Sequence, residues 1–235
     1  MIKQSQWIIF FCFAIFGAIA QAVPKSVQLE YEVKRDGKLF AKVVENFSQD
    51  GSQYKIESVT KGVGVYALLG ERKLNSSGSV TKDGLKPKHF ELHQGDSKKK
   101  TLINDFDWAK NTLSMQVKGD VKTQTLEKGT QDLLSYAYQF MFMSSKARAA
   151  NAINVTLTTG KKLNHYQYKV MGRGLKLSAA NAQFKALHIA NSPAAGDDKK
   201  QLWLAEDQYY LPVQYKLTDE DGANFEQTLT SIHVE

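Results

Sequence analysis

Residues 27–51 of the 235-residue chain are VQLEYEVKRDGKLFAKVVENFSQDG. Apolar and polar residues alternate from Val27 to Val33, which is the period of a half-buried β-strand. Asp36-Gly37 interrupts the alternation, and a second run from Leu39 to Phe47 ends at Asp50-Gly51. An Asp-Gly pair between two such runs is a strong signal for a β-hairpin. We therefore expect the folded part of the chain to begin with antiparallel strands.

Alternation separated by short glycine turns continues along the chain. A third strand is expected near Tyr54 to Val59. Ten further strand-like stretches follow, at residues 71–80, 87–94, 98–106, 113–118, 152–158, 163–171, 182–190, 200–205, 209–218 and 223–234. The composition, with 42% hydrophobic and 23% charged residues, is that of a globular domain and excludes disordered and collagen-like chains. The pattern predicts one antiparallel meander and a single β domain over residues 23–235.

One segment lacks the alternation. Residues 133–143 are rich in Leu, Tyr, Phe and Met, and Thr130 with Asp132 precedes them as an N-cap and a favourable first-turn charge. This predicts an α-helix over about 130–148. The helix would be apolar around most of its circumference and therefore buried. The predicted fold class is mainly β: a single antiparallel curled sheet, or half-barrel, wrapped over one apolar α-helix.

The first 22 residues have the pattern of a secretory signal peptide. Lys3 is followed by an uncharged apolar run from Trp7 to Ala20, and Ala20-Gln21-Ala22 has the small residues of a cleavage site. We expect cleavage after Ala22 and a periplasmic product whose mature chain does not span the membrane; an uncleaved signal anchor is the alternative. The only cysteine, Cys12, would leave with the signal peptide. Disulfides, cysteine nucleophiles and thiolate metal sites are then excluded together.

A search of the sequence for catalytic and metal-binding patterns finds none. His89 and His93 have a four-residue spacing that suits a metal on a helix, but they fall in a predicted strand, where about 13 Å separates them. The acidic groups Asp105 with Asp107 and 219–221 fall at predicted turns, which favours solvated side chains. We expect no catalytic residues, no metal, no cofactor and no enzymatic activity.

The formal net charge of +7 raises the question of a polyanionic partner. The lysine runs at 98–100, 161–162 and 199–200 have no interleaved aromatic residues of the kind that stack on bases, so nucleic acid is not expected. Lipid headgroups or another anionic component of the envelope suit such a surface better. A solubilising surface explains the same charge without any partner.

The stretch Gly62–Gly70 is apolar, uncharged and bracketed by glycines. It would form either a short core helix or a mobile flap at the mouth of a cavity, and a core position is expected because uninterrupted apolar surface is seldom left in water. Together with the apolar helix it defines a candidate ligand groove. The candidate residues of this groove are Val65, Tyr66, Leu68, Leu69, Leu134, Tyr138 and Met141.

Several short motifs occur in one order along the mature chain. They are Tyr66–Arg72, Gly84–Pro87, Phe106-Asp107-Trp108, Gln131–Ser135, Leu211-Pro212-Val213, Asp221-Gly222 and Glu226-Gln227. In this order the chain resembles the bacterial exported proteins of domain-of-unknown-function family 3108. The resemblance implies a periplasmic half-barrel similar in outline to lipoprotein carriers and lipoprotein-sorting proteins. It brings no catalytic residues, because the family has no established activity.

Two functional classes follow. The first is a periplasmic, non-enzymatic binding or carrier protein for a lipid-like or amphipathic molecule of the cell envelope. The second is a structural or interaction protein of the envelope, with no small-molecule ligand and with an envelope protein as partner.

Overall fold

The structure is a computed structural model that describes residues 23–95, 100–193 and 197–235. The expected signal peptide and its cleavage site at Ala22 lie outside these residues. The described chain contains fourteen strands. They are β1 Ser26–Arg35, β2 Lys38–Asp50, β3 Gln53–Gly62, β4 Arg72–Thr81, β5 Gly84–Gln94, β6 Leu102–Asp107, β7 Thr112–Val117, β8 Asp120–Thr125, β9 Ala152–Thr158, β10 Leu163–Ala179, β11 Ala182–Asn191, β12 Lys199–Ala205, β13 Leu211–Thr218 and β14 Asn224–Val234.

All fourteen strands belong to one antiparallel sheet. Its order is β8-β7-β6-β5-β4-β3-β2-β1-β14-β13-β12-β11-β10-β9, so each strand pairs with its sequence neighbour except where β1 pairs with β14. The sheet curls until the edge strand β9 approaches β6, the third strand from the other edge: Asn104 of β6 donates a hydrogen bond to the hydroxyl of Thr158 of β9 at 2.9 Å. The sheet is not closed into a barrel. The predicted fold class, a mainly β curled antiparallel sheet, is confirmed.

The concave face of the sheet carries the core. In β1, Val27, Leu29 and Tyr31 are at most 2% exposed, whereas the residues between them face solvent. This is the two-residue period from which the strand was predicted, because successive side chains of a strand point to opposite faces.

The apolar segment after β8 packs inside the curl, but it is not one helix. It consists of α1 Ser135–Tyr138, a 3₁₀ turn Gln139–Met141 and α2 Ser145–Ala149. The expectation of a continuous helix over about 130–148 was therefore wrong. Two N-terminal caps set where the two short helices begin. Asp132 accepts hydrogen bonds from the backbone N–H groups of residues 134 and 135, and Ser144, in an extended conformation, accepts one from residue 147.

Most strands begin or end within four residues of the expected bounds, and two, β8 and β10, depart further from the prediction. The strand β8 was not predicted, because its side chains are almost all exposed and show no apolar period. The strand β10 continues beyond residue 171 to Ala179. The register shifts on both sides of Gly172, so Gly172 and Gly174 lie in a bulge within the strand.

Candidate functional site

A cavity of about 920 Å³ lies between the concave face and the helical segment. Its floor includes Leu133, Leu134 and Ala137. Thr60 and Arg72, which pair at the point where β3 ends and β4 begins, belong to its wall. We call this end of the sheet the mouth end. The turn after β9, the turn after β13 and the loop after β11 also lie there, because neighbouring strands are antiparallel.

Two strands of the wall repeat one chemical pattern. In β4, Arg72 lines the cavity near the mouth end and Leu74 lines it two residues deeper. In β12, Lys200 and Leu202 have the same arrangement. Residues two apart in a strand share a face, so each strand presents a cation above an apolar side chain. Lys162 also lines the cavity at the mouth end, as do Asp197, Asp198 and Glu220, so this end carries charges of both signs, whereas the wall is more apolar towards the floor.

The two cations differ in their partners. The Lys200 ammonium lies 3.0 Å from a carboxylate oxygen of Asp198 and 3.5 Å from the Tyr166 hydroxyl. The largely buried guanidinium of Arg72 forms no ion pair or side-chain hydrogen bond with any described residue. Burial lowers the pKa of Arg72, although the group stays charged. An enclosed cation without a partner is costly, so Arg72 is the group in the wall best placed to receive an anion.

A buried carboxyl group faces the same cavity. Glu45 accepts hydrogen bonds from the Tyr138 hydroxyl at 3.1 Å and from the Ser58 hydroxyl at 3.3 Å. Burial raises the pKa of the Glu45 carboxyl above its ordinary value, and these two hydrogen bonds offset only part of the shift. The neutral form of Glu45 is therefore more stable in the cavity than it would be in water.

A second buried carboxylate holds the floor in place. The Oδ2 atom of Asp132 accepts a hydrogen bond from Ser76 of β4 at 2.6 Å, and Ser76 is in turn 3.1 Å from the Tyr54 hydroxyl. The side chain of Ser135 accepts a hydrogen bond from the backbone of Asp132 at 2.9 Å, which completes a reciprocal cap. The helical segment is thereby fixed against β3 and β4.

The glycine-bracketed stretch is at the mouth end, and it is exposed. Residues Gly64–Leu69 form a 3₁₀ helix between β3 and β4 with no buried residue; we call it the rim segment. Val65 is 75% exposed, Leu68 91% and Leu69 56%. The expectation that this stretch packs in the core was therefore wrong. Gly62 permits this local structure: a Cβ atom there would clash with the Tyr66 carbonyl oxygen, so the glycine lets the chain fold back on the end of β3.

The seven candidate groove residues do not share one surface. Leu134 lines the cavity, whereas Tyr138 and Met141 are buried in the core outside its lining. The other four, Val65, Tyr66, Leu68 and Leu69, lie on the rim segment, outside the cavity wall. Sequence reasoning missed Arg72 and Glu45. The sequence contained one signal for them. Each of these charged residues lies in a strand two positions from a buried apolar residue, so its side chain shares the inward face.

The histidines of β5 lie on the outer face of the sheet. Glu91 separates them and bonds to both, at 2.8 Å to His89 and 3.0 Å to His93. Asp105 of β6 contacts the other nitrogen of His89 at 2.7 Å. Within the described ranges, no three His, Cys, Asp or Glu side chains have an arrangement that could hold a metal ion. The pair forms a polar row on the sheet surface, as its strand position predicted.

A protein-family model matches most of the chain. Residues 30–230 match the model of the family described as "Protein of unknown function (DUF3108)". The chain belongs to this family. The sequence resemblance to family 3108 is thereby confirmed, and it covers twelve of the fourteen strands in full, β1 from residue 30 and β14 up to residue 230. None of the curated proteins compared with this DUF3108 chain matches it.

A solved structure has a similar fold. It is the beta-barrel-like protein of domain of unknown function DUF1849 from Brucella abortus, with a TM-score of 0.54 and 12% sequence identity. The match covers 91% of the present chain and 100% of the other. At this identity the similarity concerns the fold alone. No helix among the described residues has the length and apolar character needed to cross a lipid bilayer.

Proposed function

We propose that this protein is an exported, non-enzymatic carrier or binding protein of the bacterial cell envelope, which holds a lipid-like amphipathic molecule in its cavity. The supporting observation is the cation-above-leucine pattern of β4 and β12. An amphipathic anion would place its charged group against Arg72 and its apolar part against Leu74, Leu202 and the floor. The volume of about 920 Å³ is within the range of ligand cavities.

The proposal includes the cellular location. The sequence of the first 22 residues favours export with cleavage after Ala22, which would deliver the folded domain to the periplasm. That compartment contains anionic lipids and other amphipathic molecules. Protein recovered from the exported fraction should therefore have an intact mass that begins at Val23.

Binding of a fluorescent fatty acid tests the cavity. We expect the wild-type protein to bind the probe. Ala137→Trp, which places an indole on the cavity floor, should abolish this binding. Arg72→Gln should weaken it about tenfold by removing the charged partner of the carboxylate. Lys73→Gln is the matched control, because the neighbouring Lys73 side chain points to the outer face and pairs with Glu71 at 3.0 Å.

Organic extraction of natively purified protein, followed by mass spectrometry, should recover a near-stoichiometric amphipathic molecule. If the wild-type protein binds no apolar probe and yields no extracted molecule, the carrier proposal fails. The structural or interaction protein then becomes the better explanation. If Ala137→Trp binds the probe as well as the wild type does, the cavity is not the site.

A further inference from the structure

The rim segment concentrates exposed apolar surface at one point of the molecule. Of the seven large apolar side chains exposed in the described residues, Val65, Leu68 and Leu69 belong to this one segment. Contiguous exposed apolar residues of this kind mark contact with another molecule or with a membrane. The segment joins β3 to β4 directly above Thr60 and Arg72, so it lies at the entrance of the cavity.

Local contacts hold the rim segment so that its leucine side chains stay exposed. The Tyr66 ring packs on Phe40, with 4.6 Å between ring centroids. The side-chain amide of Gln94 donates hydrogen bonds to the carbonyl oxygens of Leu69 and Gly70, at 3.0 Å and 3.3 Å. These contacts hold the backbone at both ends of the segment. The leucine side chains therefore face outward while Tyr66 anchors the segment.

Charged residues flank the apolar surface and indicate which kind of partner it binds. Lys61 and Lys73 flank the segment, and each lies 3.0 Å from an oxygen of Glu71. Both lysine side chains are largely exposed and share this one carboxylate, so two cations meet one carboxylate beside the leucines. Apolar side chains with basic flanks suit the surface of a bilayer that contains anionic lipids, where the leucines enter the acyl boundary and the lysines meet the headgroups.

We propose that the rim segment docks the protein on an anionic lipid bilayer, with Val65, Leu68 and Leu69 inserted and the cavity entrance turned towards the membrane. The acidic turn at 219–221 lies at the same end of the sheet and opposes anionic lipid. Insertion of the apolar side chains therefore supplies most of the affinity, and the lysines add to it. This proposal extends the carrier proposal, since it places the entrance where a lipid-like ligand could transfer, but the docking itself does not require a ligand.

Vesicle sedimentation tests the docking. The probe is vesicles of mixed phosphatidylglycerol and phosphatidylcholine, and the variant is Leu68→Ser with Leu69→Ser. We expect the double variant to bind at least about tenfold more weakly, because each leucine contributes its full transfer free energy on burial. Val121→Ser is the matched control: Val121 is 61% exposed but lies on the edge strand β8, so vesicle binding should not change.

A spectroscopic readout locates the inserted residue. In Leu68→Trp, tryptophan emission should shift to shorter wavelength on addition of the vesicles and should be quenched by lipids with brominated acyl chains. An unshifted emission would overturn the proposal, as would wild-type protein that stays in the supernatant. Equal loss of binding in Val121→Ser would overturn it as well.

Two further measurements separate the alternatives. If the double variant converts a dimer into a monomer while vesicle binding is unchanged, the rim segment is an interface between copies of the chain and the membrane proposal is wrong. Fatty-acid binding without vesicles should be the same in the double variant as in the wild type. Wild-type protein that binds vesicles but no fatty acid would remove the carrier proposal and leave the docking proposal intact.

Discussion

Asp132 connects the cavity floor to the sheet, and Asp132→Ala should lower the free energy of unfolding by about 3–5 kcal/mol. Its carboxylate accepts hydrogen bonds from the backbone N–H groups of Leu134 at 2.9 Å and Ser135 at 2.8 Å, and from the Ser76 hydroxyl at 2.6 Å. These three residues are at most 4% exposed. Each donor would lose its acceptor at roughly 1–3 kcal/mol, and local relaxation would reduce the sum.

Asp132→Asn provides the discriminating comparison. Its remaining carbonyl oxygen can still accept from the backbone, and its amide can donate to Ser76, whose hydroxyl can then donate to Tyr54. The relay reverses direction, and the Tyr54 O–H then loses Ser76 as its acceptor, so the cost should be about 1–2 kcal/mol, less than that of Asp132→Ala. Burial raises the pKa of Asp132, and its hydrogen bonds offset part of the shift, so removal of the charge should not add a large penalty.

Urea unfolding followed by tryptophan fluorescence measures both variants, with the midpoint compared at constant slope. Lys146→Ala is the control, since Lys146 is exposed on α2, and it should unfold like the wild type. The reasoning is refuted if Asp132→Ala stays within about 1 kcal/mol of the wild type, or if Asp132→Asn costs as much as Asp132→Ala.

Two further predictions concern the cavity wall and the buried side chains next to it. Because burial raises the pKa of Glu45 from its ordinary value of 4.5, the native state keeps this proton to higher pH than the unfolded chain does. The free energy of unfolding should therefore fall as the pH rises from about 4.5 through the folded-state pKa, and Glu45→Gln should reduce that slope in urea titrations across this range. Truncation to alanine at Leu134, Tyr138 or Met141 should each cost about 2–5 kcal/mol in the same urea assay, whereas a surface-like cost below about 0.5 kcal/mol would contradict their burial.

The sheet was predictable because its signal is local. Alternation in β1 and β2 with Asp36-Gly37 between them fixes the strands, the faces and the hairpin, and each of these depends on residues close in sequence. The edge strand β8 was missed for the same reason, since neither of its faces is buried and no period is present to detect.

The candidate site was less predictable because it depends on contacts between distant residues. An uncharged nine-residue stretch has the same sequence pattern whether it enters a core or protrudes, and only the fold shows that the rim segment protrudes. Asp132 caps the start of α1 and Ser144 caps a new helix after the break at 142–144, and the first of these caps also depends on Ser76 of a distant strand. Arg72 and Glu45 become neighbours of one cavity only after the sheet has curled.

The pairing of β1 with β14 joins strands that are almost the full length of the domain apart in sequence. Residues Val27 and Val234 face each other in the middle of the sheet, while each half of the sheet is a meander of neighbouring strands. As the chain emerges N-terminus first, β1 to β8 can pair in order, but β1 keeps one open edge until β14 emerges. Pairing of β1 with β14 closes the longest loop of the sheet and therefore costs the most chain entropy, so it should be late in folding. Until then the open edge of β1 can pair with other chains, which makes the nascent domain a natural client for chaperones that shield unpaired strands.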